Sequence, residues 1–406
     1  MNIALKPCEM LLPAETVDIT EWSVVACDQF TSQPEYWEEA ERIVGEAPST
    51  LRLILPEAKL DESEERTRSI RAAMERYLAD GTLKAGVNGF VLVERMTSAG
   101  SRFGLLAAMD LEEYDYTPGA RPLIRPTEET VAARVPPRAR IRRGAPIELP
   151  HVMMLLDDPL FHVIEPLCGK RDRLRKLYDF DTMLSGGRLR GWAVEGEDAS
   201  AVVAALEALA ETCDGMLYAI GDGNHSFAAA RQCWLELRET LTEEERACHP
   251  ARYALAELVN LHSSALVFEP IHRILYHADG EALLSDFRTM LSQNGIEERR
   301  GEDVAFLFCG KRLGFAFEGY PLPMVQSFLD AWLSEHADAS IDYVHGDDVL
   351  SALTQKHERS VGIALRAFAK SELFPSVRRF GTLPRKSFSM GEAREKRYYL
   401  EARMLR

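Results

Sequence analysis

Tyr218-Ala219-Ile220-Gly221-Asp222-Gly223-Asn224-His225-Ser226-Phe227-Ala228-Ala229-Ala230-Arg231 reads as strand, glycine turn and helix in direct succession. Residues 216–220 are a short apolar run of the buried-strand kind, and 221–224 are a turn. From 225 to 241, Phe227, Ala230, Trp234 and Leu237 fall on one helical face. Gly221 and Gly223 let backbone approach a ligand closely. The helix that follows offers unpaired N–H groups and a partial positive charge, which suits phosphate or carboxylate. Asn224, His225 and Ser226 can all donate from its first turn, and Asp222 can hold a metal ion or take a proton. The plainer alternative is that Asp222 or Asn224 caps the helix and Gly223 only shapes the turn.

Working outward, 21–27 reads as a strand broken by Asp28-Gln29-Phe30-Thr31-Ser32, and Pro34 opens a helix to about residue 43. Residues 51–55 read as a second strand ended by Pro56. A helix is expected over 62–78, with Ile70, Met74 and Tyr77 on its buried face. Residues 89–95 and 103–110 form a hairpin signal through Thr97-Ser98-Ala99-Gly100. Residues 116–150, rich in Pro and Arg, read as a long structured loop or a crossover. A strand over 151–156 and an Ala-rich helix over 200–213 come next, then a helix N-cap at Thr242-Glu243-Glu244-Glu245. The last third alternates helices (282–293, 325–336, 347–357) with short strands (305–309, 313–317, 362–365). This pattern predicts an α+β fold, with mixed sheets, flanking helices and two or more subdomains. The expected segments are an N-terminal α/β domain at 1–115, a crossover at 116–150, a central domain at 151–245 and an α+β domain at 246–406.

The chain has 406 residues, long enough to bury a large core without staples. Forty-eight Lys and Arg against 64 Asp and Glu give a net charge of −16, which argues against a general nucleic-acid or membrane-surface binder. No stretch approaches the length of an apolar spanning helix, and the first residues lack the form of a secretory signal. Seven cysteines without a CxxC read as reduced thiols, so a cytoplasmic setting is expected.

Arg121, Arg125, Arg134, Arg138, Arg140, Arg142 and Arg143 crowd one loop. In an acidic chain they suggest a small anionic ligand, because the guanidinium fork matches phosphate. The alternative is pairing with the excess of Asp and Glu. Glu128 places a carboxylate beside them. His151, Asp157, Asp158 and His162 match no standard metal spacing. Cys27 reads as buried and inert, and Asp28 as either a base or a turn cap. Arg385 and Lys386, within 381–391, can close over an anion, or the segment can dock by its aromatics.

Taken together, the end of the first strand at Cys27-Asp28, Ile124-Arg125-Pro126-Thr127-Glu128, Pro150-His151, Asp157-Asp158-Pro159, Asp222-Gly223-Asn224-His225, Pro270-Ile271-His272-Arg273 and Leu383-Pro384-Arg385-Lys386-Ser387 resemble the bacterial family catalogued as domain of unknown function 1015. Many members of that family carry Asp-Gly-His-His-Arg at the central turn. That pattern is similar to the phosphate-binding turn of the ParB and sulfiredoxin superfamily, which includes a free-serine kinase. Gly223 and His225 match it, whereas Asn224 replaces a His and Ser226 replaces an Arg. The resemblance implies a ParB/sulfiredoxin-like element and a turn that grips phosphate. An arginine of the 121–143 loop is the candidate substitute for the missing one.

These readings lead to an enzyme that handles a phosphorylated small molecule, first of all a nucleotide-dependent kinase of a hydroxyl metabolite such as serine. Asp222, His225, Asp28 and Glu128 are the candidate catalytic residues. Gly221, Gly223, Asn224, Ser226, Arg125, Arg140, Arg385 and Lys386 are the candidate phosphate ligands, with magnesium and a nucleotide as cofactors. The alternatives are a regulatory protein that binds without turnover, a phosphatase, and a nucleic-acid-associated ParB relative. A homo-oligomer is compatible with all of them.

Overall fold

The computed structural model describes residues 2–31 and 33–406; Met1 and Ser32, the last residue of the turn expected after Cys27, lie outside them. The chain divides into two compact units. The first is Met1–Leu266 with Gly391–Arg406, and the second is Val267–Met390. These are not the four consecutive segments expected, because one sheet of the first unit draws strands from residues 5 to 260.

In that sheet Ile124–Pro126, Tyr218–Asp222, Met153–Leu156, Tyr253–Asn260, Gly100–Asp110, Leu83–Thr97, Arg188–Val194 and Lys176–Asp181 lie side by side in this order. Leu5–Lys6 pairs with Gly100–Asp110, and Cys8–Pro13 with Leu83–Thr97. Two pairings are parallel, Ile124–Pro126 with Tyr218–Asp222 and Met153–Leu156 with Tyr253–Asn260; the others are antiparallel. The fold is thus α+β with a mixed sheet.

Period-two patterning builds a core on each face. Phe90 and Leu92 enter one cluster with Leu105, Ala107, Met154 and the Asn224–Arg238 helix; Val91 and Val93 enter the other with Leu106, Leu255 and the Ser63–Ala79 helix.

The helix and hairpin expectations near 62–78 and 89–110 are met by the Ser63–Ala79 helix and the Leu83–Thr97/Gly100–Asp110 pair. The capping box at Thr242 is present, with Glu245 closing it. Three expectations are corrected. Residues 21–27 hold a helical turn, Ile19–Trp22, before the short strand Val24–Val25, because Asp18 caps the amides of Thr20 and Glu21. Residues 51–55 are not a strand. A 3-10 turn at Thr50–Arg52 forms because the Ser49 hydroxyl accepts from the Leu51 amide while Ser49 and Thr50 both donate to the Trp22 carbonyl. Within 116–150 lies a helix, Val135–Arg142, started by Pro136 and Pro137, which fit a first turn.

The second unit has its own antiparallel sheet, ordered Lys311–Phe315, Arg300–Phe308, Ser360–Leu365, Phe268–Tyr276 and Ser340–His345, with Phe388–Met390 on Phe268–Tyr276. Its core gathers Phe287, Phe306, Phe315 and Trp332.

The returning segment Gly391–Arg406 is fastened into the first unit by charge. Arg397, 1% exposed, donates to Glu257 at 3.1 Å and to Glu401, which also accepts from the Tyr178 hydroxyl. Arg95 and Arg102 donate to the Glu395 carbonyl, each at 3.1 Å. Gly104 leaves the room this needs: a Cβ there would lie 2.4 Å from Glu257 Oε1. Removing one partner of a buried pair strands the other charge. Arg397→Ala is therefore expected to lower stability by about 3–5 kcal/mol, read from urea unfolding of the purified chain.

Candidate functional site

The glycine turn has the geometry its residues predict, and part of its chemistry goes elsewhere. Gly221 falls where the pairing with Met153–Leu156 shifts register, between Ile220 and Asp222. Gly223 stands at the helix N-cap with φ +79°, a conformation that L side chains resist. A Cβ there would also come within 3.0 Å of the Val152 Cα. The Asn224–Arg238 helix begins at this point and buries Phe227, Ala228, Ala229, Ala230 and Trp234.

The side chains of its first turn hold a neighbouring loop. Asn224 Nδ2 donates to the Glu128 carbonyl at 3.1 Å and to Thr130 Oγ1 at 2.9 Å, while its Oδ1 accepts from the Tyr114 hydroxyl at 2.9 Å. His225 Nε2 accepts from the Val131 amide at 3.0 Å. The Ser226 amide bonds to the Gly223 carbonyl at 3.0 Å. Glu128 thus reaches the helix start through its backbone.

Asp222 faces a different group of residues. Its Oδ1 accepts from the Gly223 amide, and its Oδ2 lies 3.3 Å from Lys396 Nζ, which is largely buried. Asp28 belongs to the same cluster. Burial alone would raise its pKa, yet His151, the Gln29 amide, Lys396 and Arg138 together hold its carboxyl below the usual carboxylate value. His151 is pushed below its ordinary 6.5 by burial, against the pull of Asp28 and Asp222, with Arg138 adding to the lowering. The Tyr399 hydroxyl lies 2.7 Å from His151 Nδ1 and 3.1 Å from Cys27 Sγ. Burial and the neighbouring Asp28 charge push the Cys27 thiol up to about 11, which makes it a poor nucleophile. Arg138 is paired with Glu57.

The other candidates make contacts of their own. Arg125 donates to the Pro122 carbonyl at 3.1 Å and to the Gly215 carbonyl at 3.0 Å, so it clamps a loop edge. Arg140 is exposed on the Val135–Arg142 helix, and its carbonyl accepts from Arg71. Arg385 and Lys386 belong to the second unit, where the Arg385 carbonyl accepts from Arg273 at 3.1 Å. Among the described residues, no three His, Cys, Asp or Glu side chains are placed to share a metal ion, and no helix is long and apolar enough to cross a membrane.

Residues 5–367 match the family described as "Protein of unknown function (DUF1015)". The chain belongs to this family. No curated protein is a significant match to this DUF1015 member. Among solved structures it is similar to a conserved hypothetical protein from Pyrococcus furiosus (11% identity, 71% of this chain and 90% of that one, TM-score 0.36). It is also similar to a free serine kinase variant in complex with AMP (12%, 75% and 91%, TM-score 0.39) and to SbnI with a C-terminal truncation from Staphylococcus aureus (8%, 70% and 82%, TM-score 0.37). At such identities and scores these likenesses bear no weight on the chemistry of the DUF1015 chain.

Sequence reading missed Lys396, Tyr399, Arg138 and His151 as members of one group. The Pro136-Pro137 helix start was the available signal for Arg138. Nothing local marks Lys396, which arrives from the far end of the chain.

Two predictions follow from this geometry. Gly223→Ala forces a left-handed alanine against Val152 backbone and is expected to lower stability by about 2 kcal/mol, measured by denaturant unfolding. His151 has its pKa lowered by folding, so the unfolded chain takes up the proton more readily. The contribution of this group is complete above about pH 6.5 and is lost as pH falls through the folded value. Stability measured between about pH 7 and 5 should fall less steeply in His151→Gln than in the parent. Asp28, lowered as well, adds a second loss only at lower pH.

Proposed function

We propose that this protein is a small-molecule phosphotransferase, moving a phosphoryl group from a nucleotide to the hydroxyl of a metabolite of serine size or somewhat larger. The observation that carries the reading is the meeting of Asp28, His151, Asp222 and Lys396 beside the N-terminal end of the Asn224–Arg238 helix. Titratable groups of opposite sign gathered at one place, with Asp28 and His151 both lowered from their ordinary values, mark a candidate functional site.

Phosphoryl transfer asks for positioning and charge neutralisation rather than covalent chemistry. Asp28, kept ionised by its neighbours, is the group to accept the hydroxyl proton. Lys396 and Arg138 offset charge on the transferring oxygens, and the start of the helix favours an anion. His151, held by Tyr399, orients Asp28. Asn224 and His225 act indirectly by fixing the 128–131 loop over the helix start.

Asp28 and Asp222 are oxygen donors of the kind magnesium takes, one or two at a time, together with phosphate oxygens. When bound with a nucleotide, the ion would supply further neutralisation of the phosphates.

The test is phosphoryl transfer from ATP, with magnesium, to a panel of small hydroxyl acceptors. Asp28→Asn is expected to reduce turnover by about 10²–10⁴-fold while leaving the unfolding midpoint within a few degrees of the parent. Lys396→Met should lower turnover too. If no acceptor is phosphorylated by the parent protein, or if Asp28→Asn turns over at the parental rate, the reading fails.

A further inference from the structure

A cavity of about 130 Å³ lies within the first unit, against the polar cluster. Its walls are mostly aliphatic: Leu53 and Leu55, Met74 of the Ser63–Ala79 helix, Ile141 of the Val135–Arg142 helix, Ile147, and Ala229 of the Asn224–Arg238 helix. Cys27, His151, Ser226 and Tyr399 also line it. The same space is therefore bounded by the Cys27, His151 and Tyr399 part of the cluster on one side and by hydrocarbon on the other.

The charged residues in its wall are already matched. Glu57 pairs with Arg138, while Glu148 pairs with both Arg142 and Arg403. These arginines together hold the Glu148 carboxyl below its usual value, against burial, so it stays an acceptor for them. The Cys27 thiol stays protonated. The charges in the wall are thus matched, and a polar group set against the aliphatic side would lose its hydration without a partner. A dry cavity of about 150 Å³ lined by aliphatic side chains admits a benzene ring. A space of 130 Å³ accordingly has room for a phenyl or isobutyl group.

We propose that this cavity is a subsite for an uncharged, compact apolar group on the substrate, so that the acceptor is an alcohol carrying a branched aliphatic or aromatic substituent. The proposal rests on the phosphotransfer reading for the role of the alcohol. The subsite itself rests on the cavity and its lining. A hydroxyl attached to such a group sits at the His151, Ser226 and Tyr399 side, and His151 is the wall residue whose charge interacts with Asp28. Small polyols such as glycerol, which cannot fill the hydrocarbon walls, are the disfavoured acceptors.

Benzyl alcohol and 3-methylbutan-1-ol are the probes, with glycerol as the polar control, each titrated into the full chain and followed by ligand-observed NMR and thermal shift. Both apolar alcohols are expected to bind saturably and to raise the melting temperature by mass action, and glycerol to do neither. Ala229→Leu places an isopropyl group in the cavity and is expected to weaken both alcohols by about tenfold or more. Ala145→Leu, which fills the same cavity from another wall, serves if the first variant does not fold.

Absence of saturable binding of either alcohol to the parent protein overturns the subsite. So does binding that a folded filler variant leaves unchanged. Failure of the phosphotransfer reading looks different. Alcohol binding without phosphoryl transfer to any acceptor leaves the subsite standing and removes the activity. Transfer to serine or glycerol without alcohol binding does the reverse.

Discussion

Arg397 is held between Glu257 and Glu401 where all three side chains are at most 2% exposed, and the placement of the reactive groups follows from that one contact. Burying three charges is costly, and it is tolerable only when each finds its opposite at hydrogen-bond distance. The arrangement fixes the Gly391–Arg406 segment in register, because sliding the segment by one residue would part Arg397 from Glu257 and Glu401 from the Tyr178 hydroxyl. Lys396 precedes it and Tyr399 follows it, and both are carried into the cluster with Asp28, His151 and Asp222. The pairing of Tyr398–Tyr399 with Val24–Val25 continues the same fixation, and brings Cys27 and Asp28 to the same place.

The cluster itself is a balance of burial against charge. Desolvation opposes ionisation of Asp28 and protonation of His151 alike, yet the two respond differently. Asp28 has several positive or donating neighbours that outweigh burial. His151 has Asp28 and Asp222 in its favour, but burial and Arg138 prevail. The outcome is an anionic carboxylate and a neutral imidazole in one cluster. Arg138 contributes to both effects from its pairing with Glu57, and so links the Val135–Arg142 helix to the cluster.

Much of the local architecture was legible in the residues. The apolar runs 89–95 and 103–110 about Thr97-Ser98-Ala99-Gly100 marked the central hairpin, and the spacing of Ile70, Met74 and Tyr77 marked the helix that covers it. The glycine turn was legible as well, since Gly223 alone accepts the left-handed conformation there. Residues 51–55 misled because an apolar run resembles a strand, whereas hydroxyl bonds from Ser49 and Thr50 to the Trp22 carbonyl bend it into a turn. Asn224 and His225 carried the right atoms for an anion, but those atoms meet the 128–131 loop, which only the fold brings near. Asp28, Asp222 and His151 were each noted from sequence, but neither their grouping nor Lys396 was, because contacts spanning hundreds of residues leave no periodic trace.

The Ser23 hydroxyl bonds to the Tyr399 carbonyl across 376 residues, with the whole second unit lying between them in sequence. At ribosomal rates of about 5–20 residues per second, the Val24–Val25 strand waits roughly 20–75 s for its partner to be made. During that interval Asp28 and Cys27 stand at the edge of an incomplete unit, with the second unit free to form its own sheet before the first can close. Assembly order is therefore written into the connectivity. The polar cluster is completed only once residues 396–399 have emerged, and until then the nascent chain holds its carboxylates in water rather than among their cations.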